Sequence, residues 1–393
     1  MSGTASDGTE GAGGRGLLRR AGQALRSILI TLVVTAGLIV GLNSVLRFGF
    51  HYPRGYFRFM AADGVRLYPP STTLPMRWGA IPYEVRTNAR GFRGDEFDLV
   101  APAGRLRIVA IGDSVTDGFF ADNEATYPAE LQHYLRARGH DVEVINAARG
   151  GGSIDKEYAI LKEQGFPLRP DVVVLTFVTN DIFDIRERSL DDLLTRDLHP
   201  TRTTTFTQRL LTDTALGECA SDLALRLRFR AYRAAEHQAT AGASTTEDTR
   251  YQQWGGDHYE DNVRGFKQLT KNMDGLVLDP PFSAETRGII EKYLAILDRM
   301  HRDCEERKAR LFFVYFPAYS QVYDPAASLE IRDLLQAACE ARSIPFVDLT
   351  GTFRREGKDH VLHLAPIDYH PNPDGNRVMA RAIGESVMAR VGG

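Results

Sequence analysis

An α/β domain built on a parallel sheet is the fold class this sequence predicts, and three observations predict it. The runs Leu106–Gly112 (LRIVAIG), Asp171–Val178 (DVVVLTFV) and Arg310–Phe316 (RLFFVYF) are apolar almost throughout, as strands buried on both faces must be. Segments with helical spacing separate them, such as Thr126–Gly139, where Leu131, Tyr134 and Leu135 share a face and Gly139 ends the helix. Small polar residues follow the strands, where open α/β sheets place their ligands. Five strands, beginning near residues 106, 142, 171, 310 and 344, then make a three-layer α/β/α sandwich with a five-stranded parallel sheet.

The N-terminal elements set the compartment. Residues 1–16 are rich in Gly, Ser and Thr and too polar to build a core. Arg15, Arg19, Arg20 and Arg26 precede an uncharged stretch, Ser27–Leu46, long enough to cross a bilayer as a helix. It exceeds the apolar core of a cleaved signal peptide, and no A-x-A site follows, so it reads as an uncleaved anchor. Arg47, Arg54 and Arg58 follow the span, so the charge bias across it is slight. It is the short basic tail without a folded domain that favours residues 1–26 in the cytoplasm, 27–46 in the membrane and the rest outside. Phe48, Phe50, Tyr52, Tyr56 and Phe57 suit an interfacial aromatic belt.

Residues 47–104 form a juxtamembrane extension rich in Pro, Gly and aromatics. Within it Tyr83–Phe97 (YEVRTNARGFRGDEF) reads as a short strand, a turn and another extended piece. The α/β domain occupies 105–393. Its alternation halts after the third strand, and residues 182–285 read as a polar, partly helical insertion. Leaving from a strand's carboxyl end, it would overhang the ligand side as a lid or a substrate platform. Helices at Glu285–Ala309, Ala327–Arg342 and about 374–391 resume the pattern, with the strand IPFVDL between the last two.

Composition narrows the function classes. At 43% hydrophobic and 25% charged, the 393-residue chain can bury a sizeable core. A net charge of -3 gives no electrostatic reason to expect a nucleic-acid partner. Cys219, Cys304 and Cys339 form neither a disulfide framework nor a CxxC site; at most one bridge could form, and they read as three small buried thiols.

Four stretches reach one sheet edge. Gly112–Gly118 (GDSVTDG) puts Ser114 directly after the first strand, and Asn146–Ser153 (NAARGGGS) follows the second. Asn180 follows the third, and Asp368 and His370 lie in APIDYHPNPDGN before the last helix. A serine hydroxyl becomes a nucleophile when a base takes its proton, and histidine suits that work near neutral pH. A carboxylate fixes the imidazole tautomer. The tetrahedral oxyanion needs preorganised donors, which the Ser114 N–H, a glycine N–H and an Asn amide can supply.

The sequence here resembles the SGNH/GDSL hydrolase family, marked by Ser, Gly, Asn and His in separate blocks. Gly112-Asp113-Ser114 carries the first block, Asn146–Gly151 the second, Asn180-Asp181 the third, and His370-Pro371-Asn372 the fourth. The extension segment VRTNARGFRG also looks like one that precedes the domain in membrane-anchored bacterial members. The resemblance implies a flavodoxin-like sandwich, Ser114, His370 and Asp368 as a triad, and Ser114, Gly151 and Asn180 as an oxyanion hole. Gly150 is the fallback glycine. Two departures stand out. Thr179 replaces the Gly often found before the Asn. The family's Asp lies three residues before its His, where this chain has Ile367, so Asp368 is the nearest carboxylate and a Ser–His dyad is the alternative.

The reading is a serine esterase acting, without cofactor or metal, on an acylated envelope glycan or lipid, with O-acetyl esters foremost. Acyl transfer to a surface polysaccharide would use the same residues, and a non-catalytic binding protein would retain the scaffold alone. His360, His363, Asp368 and His370 lie close in sequence, but their spacing does not match H-E-x-x-H. Arg149 reads as an exposed loop residue.

Overall fold

The structure is a computed structural model, and it describes residues 10–49, 68, 70–78, 81–195, 214–217, 219–220, 223, 275–358, 361–364 and 370–391. Helix α1 (Glu10–Ser44) continues as a π-helical turn to Gly49. Its apolar part, Arg20–Gly49, is long and apolar enough to cross a membrane, and its side chains are not buried against the rest of the chain. Leu29, Val33 and Leu38 are exposed on it, as on a candidate membrane span.

The sheet has five parallel strands: β3 (Leu106–Gly112), β4 (Val142–Asn146), β5 (Val172–Phe177), β6 (Arg310–Tyr315) and β7 (Phe346–Asp348). Their order is β4-β3-β5-β6-β7. Strand order therefore reverses between β3 and β5, and a crevice opens beyond the carboxyl ends of such a pair. Ser114 and Asn180 are the residues that leave those two ends.

Successive side chains on a strand face opposite layers. Val109, Ile111, Val173, Leu175 and Phe313 pack with α4 (Ile154–Ile160), α6 (Ala284–Glu306) and α7 (Glu330–Glu340). Ile108, Ala110, Val172, Val174 and Phe312 pack with α3 (Tyr127–Arg136), α8 (Thr350–Glu356) and α9 (Pro373–Val391). These are the two outer layers of the sandwich. Each fully buried aliphatic or Phe side chain contributes about 1.5–3 kcal/mol, so both faces stabilise the sheet. Two one-turn helices, α2 (Ser114–Asp117) and α5 (Asn180–Asp184), begin at the crevice. Cys304 and Cys339 are buried, Cys219 is half-buried, and all three are free.

The extension differs from its sequence reading. Ile81–Arg86 is a strand, β2, but it pairs with β1 (Thr73–Trp78) upstream rather than with the segment that follows. The later segment makes only single bridges, Thr87 to Arg93 and Arg93 to Asn146. The hairpin docks on the domain through Asn123. Its Oδ1 accepts the Arg86 N–H (3.1 Å) and Arg93 Nε–H (3.0 Å), and its Nδ2 donates to the Arg86 carbonyl (2.7 Å). At the other end of the sheet Arg107 is fully buried. It donates to Glu143 (2.9 Å) and to the carbonyls of Leu99 and Leu168 (both 2.7 Å), tying the extension to the base of β3 and β4.

Most of the expected insertion, Asp368, His360, and the Phe50, Tyr52, Tyr56 and Phe57 part of the aromatic belt lie outside the described residues.

Candidate active site

Ser114 owes its place to what precedes it. Strand β3 runs buried to Gly112, whose φ is +154°. A Cβ there would stand 2.2 Å from Thr116 Oγ1 and 3.2 Å from the Thr176 carbonyl, so only glycine lets the strand turn at this point. Asp113 then caps α2, its Oδ1 accepting the Val115 N–H at 3.0 Å. Ser114 is the first residue of that turn and is 5% exposed.

His370 arrives from the opposite end of the chain. Its carbonyl accepts the Leu364 N–H (2.8 Å), and Asn372 N–H donates to the Leu362 carbonyl (3.0 Å). The Asn372 side chain accepts the Gly375 N–H (2.9 Å), which starts α9 firmly at this point. These bonds hold the imidazole so that Nε2 lies 2.7 Å from Ser114 Oγ, across 256 residues of sequence. The serine hydroxyl also stands 3.1 Å from Asp113 Oδ2. It has one hydrogen to give, and the imidazole is the nearer acceptor.

Two rings wall the imidazole. Phe119 lies tilted at 5.5 Å between centroids, and Phe120 meets it edge-on at 5.1 Å. Phe120 has φ +64°, a left-handed conformation that a bulky residue adopts only when its surroundings impose it.

Asn180 Nδ2 lies 3.4 Å from Asp113 Oδ2, which places the third-block amide beside the first block. The Asn146–Ser153 loop closes over the same region. Gly150 N–H donates to Asp117 Oδ2 at 2.9 Å. Gly151 has φ +72°, and its carbonyl accepts from Lys156 Nζ at 2.6 Å. A Cβ at Gly152 would lie 3.3 Å from both Asp113 Cα and Glu157 Oε1, so this loop backbone runs against the nucleophile turn.

Beneath these residues lies a buried acidic group. Burial pushes the Glu157 carboxyl well up, with the charges of Asp113 and Asp155 adding to the effect. Burial and the Glu157 charge do the same to Asp181. Asp113 is raised mainly by burial, opposed by its bond from Val115 and by His370. Burial in a medium of low polarity disfavours the charged carboxylate, and each neighbouring negative charge disfavours it further.

The predicted residues Ser114, His370 and Asn180 are thus brought together, with Gly150 and Gly151 in the loop beside them. Asp368 falls outside the described residues. Arg149 is a correction: it is buried, with its guanidinium 4.0 Å from the centre of the Tyr68 ring. Stacking on an aromatic face offsets part of the cost of taking the guanidinium out of water. His363 is buried among Phe316, Tyr319, Tyr323 and Phe353. Burial pushes its imidazole down to about 3. Among the described residues no group of three or more His, Cys, Asp or Glu side chains is placed to hold a metal ion. Phe119, Phe120, Asp117 and Tyr68 were not singled out from the sequence as site residues. The aromatic pair directly after GDSVTDG was the available signal.

A model of the GDSL-like lipase/acylhydrolase family matches residues 110–378, which span every block described above. The chain belongs to this family. As a GDSL-like acylhydrolase it is an ester hydrolase on an SGNH-type sandwich. No curated protein matches it. Among solved structures, the GDSL-like fold is similar to an α/β hydrolase from the metagenome of Lake Arreo, Spain. That match has 17% identity and TM-score 0.39, covering 72% of this chain and 94% of the other. It is also similar to a lipolytic protein of the G-D-S-L family from Desulfitobacterium hafniense, described as putative, with 13% identity, TM-score 0.38 and coverage of 71% and 98%. A catalytic mutant of an acetylxylan esterase from Geobacillus stearothermophilus matches at 15% identity and TM-score 0.39, with coverage of 72% and 94%.

Proposed function

We propose that the chain is a membrane-anchored serine esterase that removes small acyl groups, acetyl foremost, from an envelope glycan or lipid. The observation that carries this reading is the 2.7 Å contact between Ser114 Oγ and His370 Nε2. At that distance a neutral imidazole accepts the hydroxyl proton as oxygen attacks an ester carbonyl. The Ser114 N–H, the Gly151 N–H and the Asn180 amide receive the oxyanion. Gly150 is the weaker choice, because its N–H is bonded to Asp117. Collapse of the tetrahedral intermediate breaks the bond to the leaving alcohol, which takes the proton from His370. Water then repeats the sequence on the acyl-serine, releasing the acid and restoring the hydroxyl. Asp368 orients the imidazole and stabilises its positive charge. This route needs no cofactor and no metal.

Phe119 and Phe120, which pack against the His370 ring, support a small acyl group, since they leave little room beside the base. The envelope substrate follows from α1. With the short basic tail of residues 1–26 in the cytoplasm, the catalytic domain lies outside, tethered near the surface. The test is labelling of the full-length chain in detergent by a fluorophosphonate, located by mass spectrometry. The adduct is expected on Ser114, with the rate reduced about 10²–10⁴-fold in His370→Ala. Absence of an adduct on the folded wild type would overturn the reading. Asp368→Asn, labelled in parallel, tests the carboxylate: a wild-type rate would leave a Ser–His dyad.

A further inference from the structure

Asp117 stands three residues after Ser114 on the same one-turn helix, α2. Its Oδ2 accepts two hydrogen bonds from elsewhere in the chain. One comes from Gly150 N–H (2.9 Å), in the loop that follows β4. The other comes from the Tyr68 hydroxyl (2.7 Å), in the extension that follows the membrane helix. Asp117 is fully buried, and Tyr68 is 6% exposed. Arg93, also from the extension, grips the same turn: its guanidinium donates to the carbonyls of Asp117 (2.7 Å), Gly118 (2.8 Å) and Ala121. Arg149, beside Gly150, stacks on the Tyr68 ring. The extension therefore meets the loop and the nucleophile turn at a single carboxylate.

The bond from Gly150 matters through the next peptide. Gly150 and Gly151 are consecutive, and glycine peptides rotate readily unless held. Asp117 fixes the plane of one N–H, and Lys156 on the Gly151 carbonyl fixes the other side. Between these restraints the Gly151 N–H has a set direction. A donor aimed at a developing charge is worth most when it need not reorganise during the reaction.

We propose that Asp117 and Tyr68 are positioning residues for the oxyanion loop, and that the membrane-proximal extension thereby completes the active site. This rests on the reading of Ser114 as the nucleophile. Asp117 holds the loop in register with Ser114. Tyr68 keeps the Asp117 carboxylate turned toward Gly150, because one oxygen accepts both bonds. Neither touches the substrate.

The experiment uses the full-length chain in detergent. Hydrolysis of p-nitrophenyl acetate is compared among wild type, Ser114→Ala and Tyr68→Phe, which removes one hydroxyl and keeps the stacked ring. Inhibition by methylboronic acid is measured alongside, since its adduct on serine places an oxygen where the oxyanion forms. Tyr68→Phe is expected to lower kcat about tenfold, within the range for partners that orient a functional group. KM should stay within about twofold, because an orienting bond of this kind acts on the transition state. Boronate inhibition should weaken by about the same factor as kcat, while inhibition by acetate and the melting temperature stay near wild type. A Tyr68→Phe chain with wild-type kcat and wild-type boronate affinity would overturn the proposal and leave the esterase reading intact. A loss matched by lower melting temperature with boronate affinity unchanged would also overturn it, as a purely structural role. A folded wild type no faster than Ser114→Ala would overturn both readings.

Discussion

Phe120 meets His370 edge-on, with ring centroids 5.1 Å apart, while its own backbone sits at φ +64°. The left-handed conformation costs a bulky residue roughly 1–2 kcal/mol, which packing against Phe119, Tyr83 and His370 must offset. Phe120→Ala should therefore change specificity more than it changes the chemistry. Removing the ring opens space for about two more methylenes, each worth ~0.8 kcal/mol when buried. The ratio of kcat/KM for p-nitrophenyl butyrate over acetate should rise about tenfold. An unchanged ratio would show that the acyl group lies elsewhere.

Gly150 tests how the loop is packed. A Cβ at this position would stand 1.7 Å from Phe119 Cζ, so the ring must move if the residue becomes alanine. Gly150→Ala should cost about 1–3 kcal/mol, as overpacking does, and most of the esterase activity. Phe119→Ala removes the obstacle. The double variant should then be more stable than the sum of the two losses predicts, by about 0.5–3 kcal/mol, because the sites share one contact. Thermal melts of the four proteins check this. Additive losses would place the ring away from Gly150.

His363 gives the fold a pH dependence with a definite sign. Burial keeps its imidazole neutral down to about pH 3 in the folded chain. The unfolded chain takes up that proton below about 6.5. Between the two values the unfolded state binds more protons, so stability falls as pH drops, by at most about 1.4 kcal/mol per unit from this group. Glu157, Asp181 and Asp113 act with the opposite sign, since their folded pKa values are raised and their contribution is lost as pH rises. Subtraction isolates the histidine. His363→Leu should show a shallower loss of stability from pH 6.5 to 4.5 than wild type, read from urea midpoints. Parallel slopes would contradict the buried neutral imidazole.

Much of this architecture was legible in the residues themselves. The strands at 106–112, 172–177 and 310–315 are buried on both faces, so their apolar runs needed no partner to be recognised. Ser114, Asn180 and His370 stood out because motif order and strand ends agreed. The extension was harder to read. Thr73–Trp78 and Ile81–Arg86 are separated by two residues, as hairpin strands are. But Pro75, Pro82 and the charges between them interrupt the alternation that marks a strand. Arg149 reads as exposed because a loop arginine usually is, and nothing local reveals that Tyr68 stacks against it from 81 residues upstream. Long-range pairing of this kind has no sequence period.

The most direct test of the account is the kinetic coupling of Ser114 and His370. Hydrolysis of p-nitrophenyl acetate by the full-length chain is measured for wild type, Ser114→Ala, His370→Ala and the double variant. If the pair acts as nucleophile and base, each single variant loses about 10³-fold or more in kcat, and the double variant is no worse than either. A single variant within about threefold of wild type, or losses that multiply in the double variant, would contradict the assignment of this contact as the catalytic one.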